Sequence, residues 1–81
     1  MSFRVARCDP KTGVIVTADP PGSGDSMSAI RFVAMTLEVE PSHLKLGPPP
    51  RGAAVYCIIP DPARQGAQVR FATAVEDYLA K

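Results

Sequence analysis

The sequence predicts a small α+β domain whose mostly antiparallel three-stranded sheet, in the order β-β-α-β-α, carries two helices on one face. Three stretches lead to this fold class. An alternating segment near the N-terminus predicts a hairpin, an uncharged run at 53–59 predicts a central strand, and an apolar periodicity at 67–80 predicts a final helix. Residues 1–81 fit a single domain, of a size at which a hydrophobic core alone is just sufficient to hold a fold.

The N-terminal region is predicted to form an antiparallel hairpin. Residues 3–8 alternate apolar with basic or small side chains, which is the period of a strand. Segment 9–13 reads Asp-Pro-Lys-Thr-Gly and is typical of a turn, in which Gly13 can take the positive φ that closes it. The apolar run at 14–18 then predicts the second strand, and the short connection makes the two strands neighbours.

The hairpin also predicts which side chains face outward. If Val5 and Ile15 face the core, Arg4 and the region of Thr17 lie on exposed positions, because side chains alternate along a strand. Arg4 and Arg7 have opposite parity on a regular strand, so we do not expect them to converge.

Residues 19–26 contain two prolines and two glycines and are predicted to form a loop. Asp25 or Ser26 can then act as a helix N-cap. The segment 27–39 fits two patterns, since its apolar residues repeat at helical spacing while its last residues alternate as in a strand. We favour a helix from about 26 to 38, and the alternative is a long strand with a bulge.

The middle of the chain is divided by prolines. Pro41 ends the preceding element, and 42–46 is too short to distinguish a helical turn from a short edge strand. Residues 47–52 are predicted to form a stiff, extended connector that leads into 53–59. Because that run has no charge, we expect a strand that is buried on both faces.

The C-terminal part is predicted to be helical. Asp61 as N-cap and Pro62 at the first helical position offer one start, although Gly66 disfavours an early turn. Apolar residues at helical spacing predict a helix from about 67 to 80.

The composition excludes several classes of protein. A net charge of +1 gives no large field that would attract nucleic acid or an anionic membrane. No apolar run is long enough to span a bilayer and no signal peptide is recognisable, so we expect a cytoplasmic protein without a membrane partner.

Two cysteines are too few for a disulfide framework or a four-cysteine zinc site, and we expect Cys8 and Cys57 to be small buried hydrophobes. A bridge between them would require their strands to lie side by side. His43 is the only histidine, and it has neither enough partners for a metal cage nor a defined catalytic triad. We therefore expect no enzyme, metal or cofactor, with a thiol enzyme that uses Cys57 or Cys8 and His43 as a minor alternative.

A phosphate site is a second candidate, because the glycine-rich loop lies between a predicted strand and a predicted helix. The loop lacks the lysine of a nucleotide-binding motif, and Asp25 would repel an anion. The residues of this weak candidate are Gly22, Ser23, Gly24 and Ser26.

Nucleic-acid binding is a third candidate, provided that several arginines share a surface. The arginines concerned are Arg4, Arg7, Arg51 and Arg70. The three phenylalanines, Phe3, Phe32 and Phe71, are more typical of a core than of a platform on which bases stack.

The sequence therefore favours a small, non-catalytic interaction module. We expect it to form a homodimer, or to dock on a larger protein, through a sheet edge or an apolar helix face. The alternative function is a nucleic-acid or phosphate-ligand binding domain that uses the arginines and the loop at 22–26.

Overall fold

The computed structural model describes residues 1–51 and 54–81 and shows an antiparallel sheet with two α-helices on one face. The strands are β1 (Ser2–Asp9), β2 (Gly13–Asp19), β3 (Leu44–Leu46) and β4 (Val55–Pro60), and the helices are α1 (Ser26–Leu37) and α2 (Ala67–Ala80). The spatial order of the strands is β1-β2-β4-β3, and neighbouring strands are antiparallel. The predicted α+β class is confirmed, as is the placement of both helices on the same face.

The sheet has four strands, so the prediction of three strands in the order β-β-α-β-α is wrong. The observed order along the chain is β-β-α-β-β-α. The segment that the sequence left open divides into a short 3-10 helix at Pro41–His43 and the edge strand β3. In β3, Lys45 lies opposite Ile59 of β4, and the N–H of Gly47 donates to the carbonyl of Cys57 at 2.8 Å. Three residues are too few to show the alternation that identifies a strand from sequence. The segment becomes a strand because its backbone pairs with β4.

The predicted hairpin is confirmed, and β1 pairs with β2 along its whole length. The turn is held by the carboxylate of Asp9, which accepts a hydrogen bond from the N–H of Lys11 at 2.8 Å. Gly13 has a φ of 103°, and a Cβ at this position would lie 2.5 Å from the carbonyl oxygen of Ile58. Glycine is therefore required twice here, by the backbone angle and by the close approach of β4.

The condition that both Val5 and Ile15 face the core is met only by Val5. Val14 and Val16 are fully buried beneath the helices, so Ile15 between them points to the other side of the sheet. Val5 packs against the core, because it lies opposite Val16. The register of the hairpin decides which set of alternate residues in β2 faces the helices, and the turn sequence alone does not fix that register.

Helix α1 confirms the helical interpretation of its segment. The carboxylate of Asp25 caps its N-terminus by accepting a hydrogen bond from the N–H of Ser28 at 2.7 Å. The same hydrogen bond lowers the pKa of Asp25, because it stabilises the ionised form. The helix ends at Leu37, followed by Glu38 in the left-handed region at φ 58°.

Helix α2 also matches the predicted range, with a different start from the one that Asp61 and Pro62 offer. The carboxylate of Asp61 accepts a hydrogen bond from the N–H of Ala63 at 2.9 Å and holds a separate turn. Gly66, at φ 80°, then redirects the chain into the helix. The side chains that anchor α2 on the sheet are Ala67, Phe71 and Val75.

Strand β4 lies inside the sheet, between β2 and β3, as expected of the uncharged run. Of the predicted segment 53–59, Ala53 lies outside the described residues and Ala54 precedes the strand as an exposed residue. The expectation that the strand is buried on both faces holds only at its middle. Cys57 and Ile58, which point to opposite faces, are buried, whereas the residues before and after them in the strand are half-buried. The helices cover one face of the sheet, so alternate residues of β4 have different surroundings.

Candidate functional site

The sheet has a second face that no helix or strand of the described residues covers, and we call it the outer sheet face. It consists of the residues that alternate with the buried ones along the four strands. They are Arg4, Arg7, Ile15, Thr17, Lys45, Val55, Cys57 and Ile59.

The centre of the outer sheet face is apolar. Ile15 lies opposite Cys57, and Thr17 lies opposite Val55. Cys57 is buried, and Ile15, Val55 and Ile59 are half-buried. An antiparallel sheet with one solvated face normally alternates apolar and polar residues. This sheet presents aliphatic side chains on both faces.

The rim along β1 is charged, and a β-bulge shapes it. The register shifts between Val5 and Arg7, so that Arg4 lies opposite Thr17 and Arg7 opposite Ile15. The extra residue of the bulge reverses the parity, and both arginines point to the outer sheet face. The expectation that they do not converge is therefore wrong.

Both arginines have a carboxylate beside them. Arg4 lies 3.5 Å from Asp19, and Arg7 lies 3.4 Å from Asp9. The pKa of Asp9 is lowered, chiefly because its carboxylate accepts the hydrogen bond from the N–H of Lys11. The rim along β1 thus consists of ion pairs and leaves little net charge.

The arginines of the nucleic-acid candidate do not share one surface. Arg4 and Arg7 lie on the outer sheet face, Arg51 is exposed in the connector after β3, and Arg70 lies on α2, on the other side of the sheet. The three phenylalanines lie in or against the core, with the rings of Phe3 and Phe32 5.8 Å apart.

The loop of the phosphate candidate has structural roles that use several of its polar groups. The hydroxyl of Ser23 donates to the carbonyl of Pro20 at 2.6 Å, and the carbonyl of Gly24 accepts from the hydroxyl of Tyr56 at 3.1 Å. Gly22 adopts a positive φ, and Ser26 begins α1. The carboxylate of Asp25 occupies the N-terminus of α1, where a phosphate would otherwise bind.

The two cysteines lie on opposite faces of the sheet, with β2 between their strands. Cys8 packs against the core, whereas the thiol of Cys57 lies 3.7 Å from the carbonyl oxygen of Thr12. Burial raises the pKa of both thiols, which keeps them protonated at neutral pH. Their strands are not adjacent, so the condition for a bridge is not met, and a raised pKa gives no support to an activated thiolate.

A concave region, which sequence reasoning missed, lies on the helical side of the sheet. We call it the helical groove; its volume is about 640 Å³. The end of α1 and the residues after it form one wall, with Leu37, Val39 and His43 among them, and one face of α2 forms the other. Four residues that line the groove, at positions 69, 73, 77 and 81, recur at every fourth position and so share one face beside the buried residues of α2. This spacing is the one sequence feature that indicates the groove.

Two further kinds of feature, a membrane-spanning helix and a metal-binding cluster, are absent from the described residues. No helix in 1–51 or 54–81 is long and apolar enough to cross a membrane, and the same residues contain no cluster of three histidine, cysteine or acidic side chains that could hold a metal ion. Comparison of the chain with models of protein families, with curated proteins and with solved structures found no match.

Proposed function

We propose that this protein is a small, non-catalytic interaction module that self-associates through its outer sheet face. The observation that carries the proposal is the apolar centre of that face, where Ile15, Val55 and Ile59 project from two adjacent interior strands without a helix over them. Contiguous apolar surface of this kind on a small protein typically marks a site of protein contact.

The dimensions of the molecule support a second copy as the partner. The chain measures 33 × 29 × 20 Å, and in a fold of one sheet and one helical layer the shortest dimension runs through the layers. The broad side therefore has a projected area of at most about 950 Å². Stable interfaces bury about 800 Å² of accessible surface per partner, so a dimer of this size would use most of this side.

The charges at the rim permit the same face of another copy to approach. Arg4 and Arg7 lie close to Asp19 and Asp9, so the rim along β1 is nearly neutral. Lys45, on β3, is the remaining cation of the face. Two copies can therefore pack with little repulsion, and the ion pairs can be exchanged across the interface.

Sedimentation equilibrium over roughly 1 to 200 µM protein tests the proposal, because interfaces of this size span micromolar to much higher affinity. We expect a dimer that dissociates at the low end of this range or remains intact throughout. Ile15→Lys places a charge in the centre of the apolar region and should give a folded monomer. Met35→Lys is the matched control, since Met35 is 74 % exposed on α1 and should leave the dimer unchanged.

Circular dichroism and thermal unfolding must show that both variants are folded, and the milder Ile15→Thr replaces Ile15→Lys if they do not. A wild-type chain that stays monomeric at 200 µM would overturn self-association. So would a dimer that Ile15→Lys leaves intact while Met35→Lys dissociates it. If the wild-type chain is a monomer that binds a larger protein and Ile15→Lys abolishes that binding, the outer sheet face is the interaction site and the larger protein, not a second copy, is the partner.

The second candidate function is nucleic-acid binding, and one observation favours it. The bulge brings Arg4 and Arg7 to the same face as Lys45, which lies on the opposite edge strand. Such binding would weaken steeply as salt rises, because counterions are released from the phosphates. Fluorescence titration with single-stranded and double-stranded oligonucleotides at 50 and 200 mM salt decides it, and absence of binding at 50 mM would end this candidate.

A further inference from the structure

The helical groove has a shape that fits an extended chain. Its wall on α2 runs from Val69 to Lys81, and twelve steps of 1.5 Å give a length of about 18 Å. The volume of the groove is about 640 Å³. An extended segment of about five residues has the matching length.

The floor of the groove is apolar and its rim is polar. Leu37 is buried, and Val39, Ala74 and Tyr78 are half-buried, so they can contact the aliphatic part of a ligand. The rim residues, among them Thr73 and Asp77, are exposed. The groove is therefore open along its length, which suits a segment of a larger partner better than an enclosed small molecule.

The charges of the groove favour a cationic occupant. Three carboxylates line it, those of Glu38, Glu40 and Asp77, against the two cations Arg70 and Lys81. Helix α1 ends here with no basic residue in its last turn, so its C-terminal carbonyl groups add negative potential.

Most of these carboxylates are available for a ligand. Among the described residues, Glu40 and Asp77 have no ion-pair partner within 4.0 Å. Glu38 lies 4.0 Å from Lys81, and both side chains are more than two-thirds exposed, so this pair is weak and can be replaced.

The geometry points to a peptide-binding groove that holds an extended segment of a partner protein, with a lysine or arginine directed at Glu40 and Asp77 and an apolar neighbour on the floor. The basic side chain can lay its methylene groups on the apolar floor while its charged end reaches the carboxylates. This site lies on the helical side of the sheet and does not depend on the proposed dimer.

Titration of ¹⁵N-labelled protein with three five-residue peptides tests the inference. Leucine alternates with arginine in the first peptide, with glutamine in the second and with glutamate in the third. We expect the arginine peptide to shift the amide signals of 36–43 and 69–81 and to bind most tightly. The glutamate peptide should bind least, since it places its charges beside the carboxylates of the groove.

Charge-neutral variants identify the groups that select the peptide. Exposed charge pairs contribute modestly, so Glu40→Gln and Asp77→Asn should each weaken binding of the arginine peptide about threefold, and together about tenfold. Glu76→Gln is the matched control, because Glu76 is exposed on α2 outside the groove. The double variant should leave binding of the glutamine peptide nearly unchanged.

Three outcomes would overturn the inference: no signal shifts with the arginine peptide at millimolar concentration, equal binding of the arginine and glutamate peptides, or shifts confined to the outer sheet face. Retention of full affinity in the double variant would do the same. Because the variants change exposed side chains, unfolding is not expected, and the amide spectrum of each variant verifies its fold directly.

Discussion

The two faces of the sheet carry similar side chains and have different surroundings. In β4, Ile58 is fully buried beneath the helices, while its neighbour Ile59 projects from the outer sheet face and is half-buried. In β2, Val14 and Val16 lie in the core, while Ile15 between them lies opposite Cys57 on the outer side. An uncharged strand thus indicates apolar surroundings on both sides, and among the described residues the helices cover only one side.

The largest expected difference between the faces is in stability. Ile58→Ala should cost about 3 to 4 kcal/mol, because it removes a fully buried side chain and leaves a cavity. Ile59→Ala should cost about 1 kcal/mol in the monomer, because the side chain is only half-buried. Urea unfolding of both variants at low protein concentration measures the difference, and equal losses would show that the two faces are equally covered.

The start of β2 gives a second comparison between close contact and open space. Gly13→Ala should cost at least about 2 kcal/mol, because the new Cβ meets the carbonyl oxygen of Ile58 and the side chain of Ile59 at a φ of 103°. Gly22→Ala is the control, since its φ is 83° with no atom within 4 Å, and should cost about 1 kcal/mol. Thermal unfolding that ranks the two variants in the reverse order would contradict the packing of the hairpin against β4.

The two thiols report on the two faces separately. Burial raises the pKa of both Cys8 and Cys57, so both should be alkylated far more slowly in the native protein than in urea. If a second copy covers the outer sheet face, the alkylation rate of Cys57 should fall further as protein concentration rises, whereas that of Cys8 should not. Mass spectrometry of alkylated peptides measures both rates. Fast alkylation of either native thiol would revive the thiol-enzyme alternative.

The smallest expected effect is the dependence of stability on acid pH. Asp9, at the rim of the outer sheet face, and Asp25, at the N-terminus of α1, both have a lowered pKa, chiefly because backbone N–H groups of Lys11 and Ser28 donate to them. A lowered pKa in the folded state contributes stability above the pKa of the unfolded chain, near 4, and this contribution is lost as pH falls through the folded value.

Melting temperatures between pH 2 and pH 7 measure this contribution, because the interval includes the ordinary pKa of an aspartate carboxyl, about 4. Asp9→Asn and Asp25→Asn should each make the melting temperature less dependent on pH below about 4. A wild-type chain whose melting temperature rises on acidification would contradict the assigned hydrogen bonds.

The sequence predicted the elements that have a strong local signal. The hairpin, α1 with its Asp25 cap, and α2 all follow from periodicity and from residues that favour turns or caps. Strand β3 could not be identified, because its three residues become a strand only by pairing with β4.

The candidate surfaces depend on features that the local sequence pattern does not determine. The bulge after Val5 turns Arg7 to the side of Arg4, and parity counted on a regular strand cannot reveal it. The helical groove requires the end of α1 and one face of α2 to approach each other, which is a tertiary contact. For the same reason, the sequence could show that β4 is apolar and could not show which of its faces lies open.

Isotope-filtered NOE spectroscopy on a mixture of ¹³C-labelled and unlabelled chains detects which side chains of one copy contact another copy. We expect NOEs between copies from the methyl groups of Ile15, Val55 and Ile59, and none from the exposed methyl group of Met35 on α1. A monomer at the concentration of the experiment would contradict this expectation. So would contacts between copies that involve the helices and give no NOE from the methyl groups of these three residues.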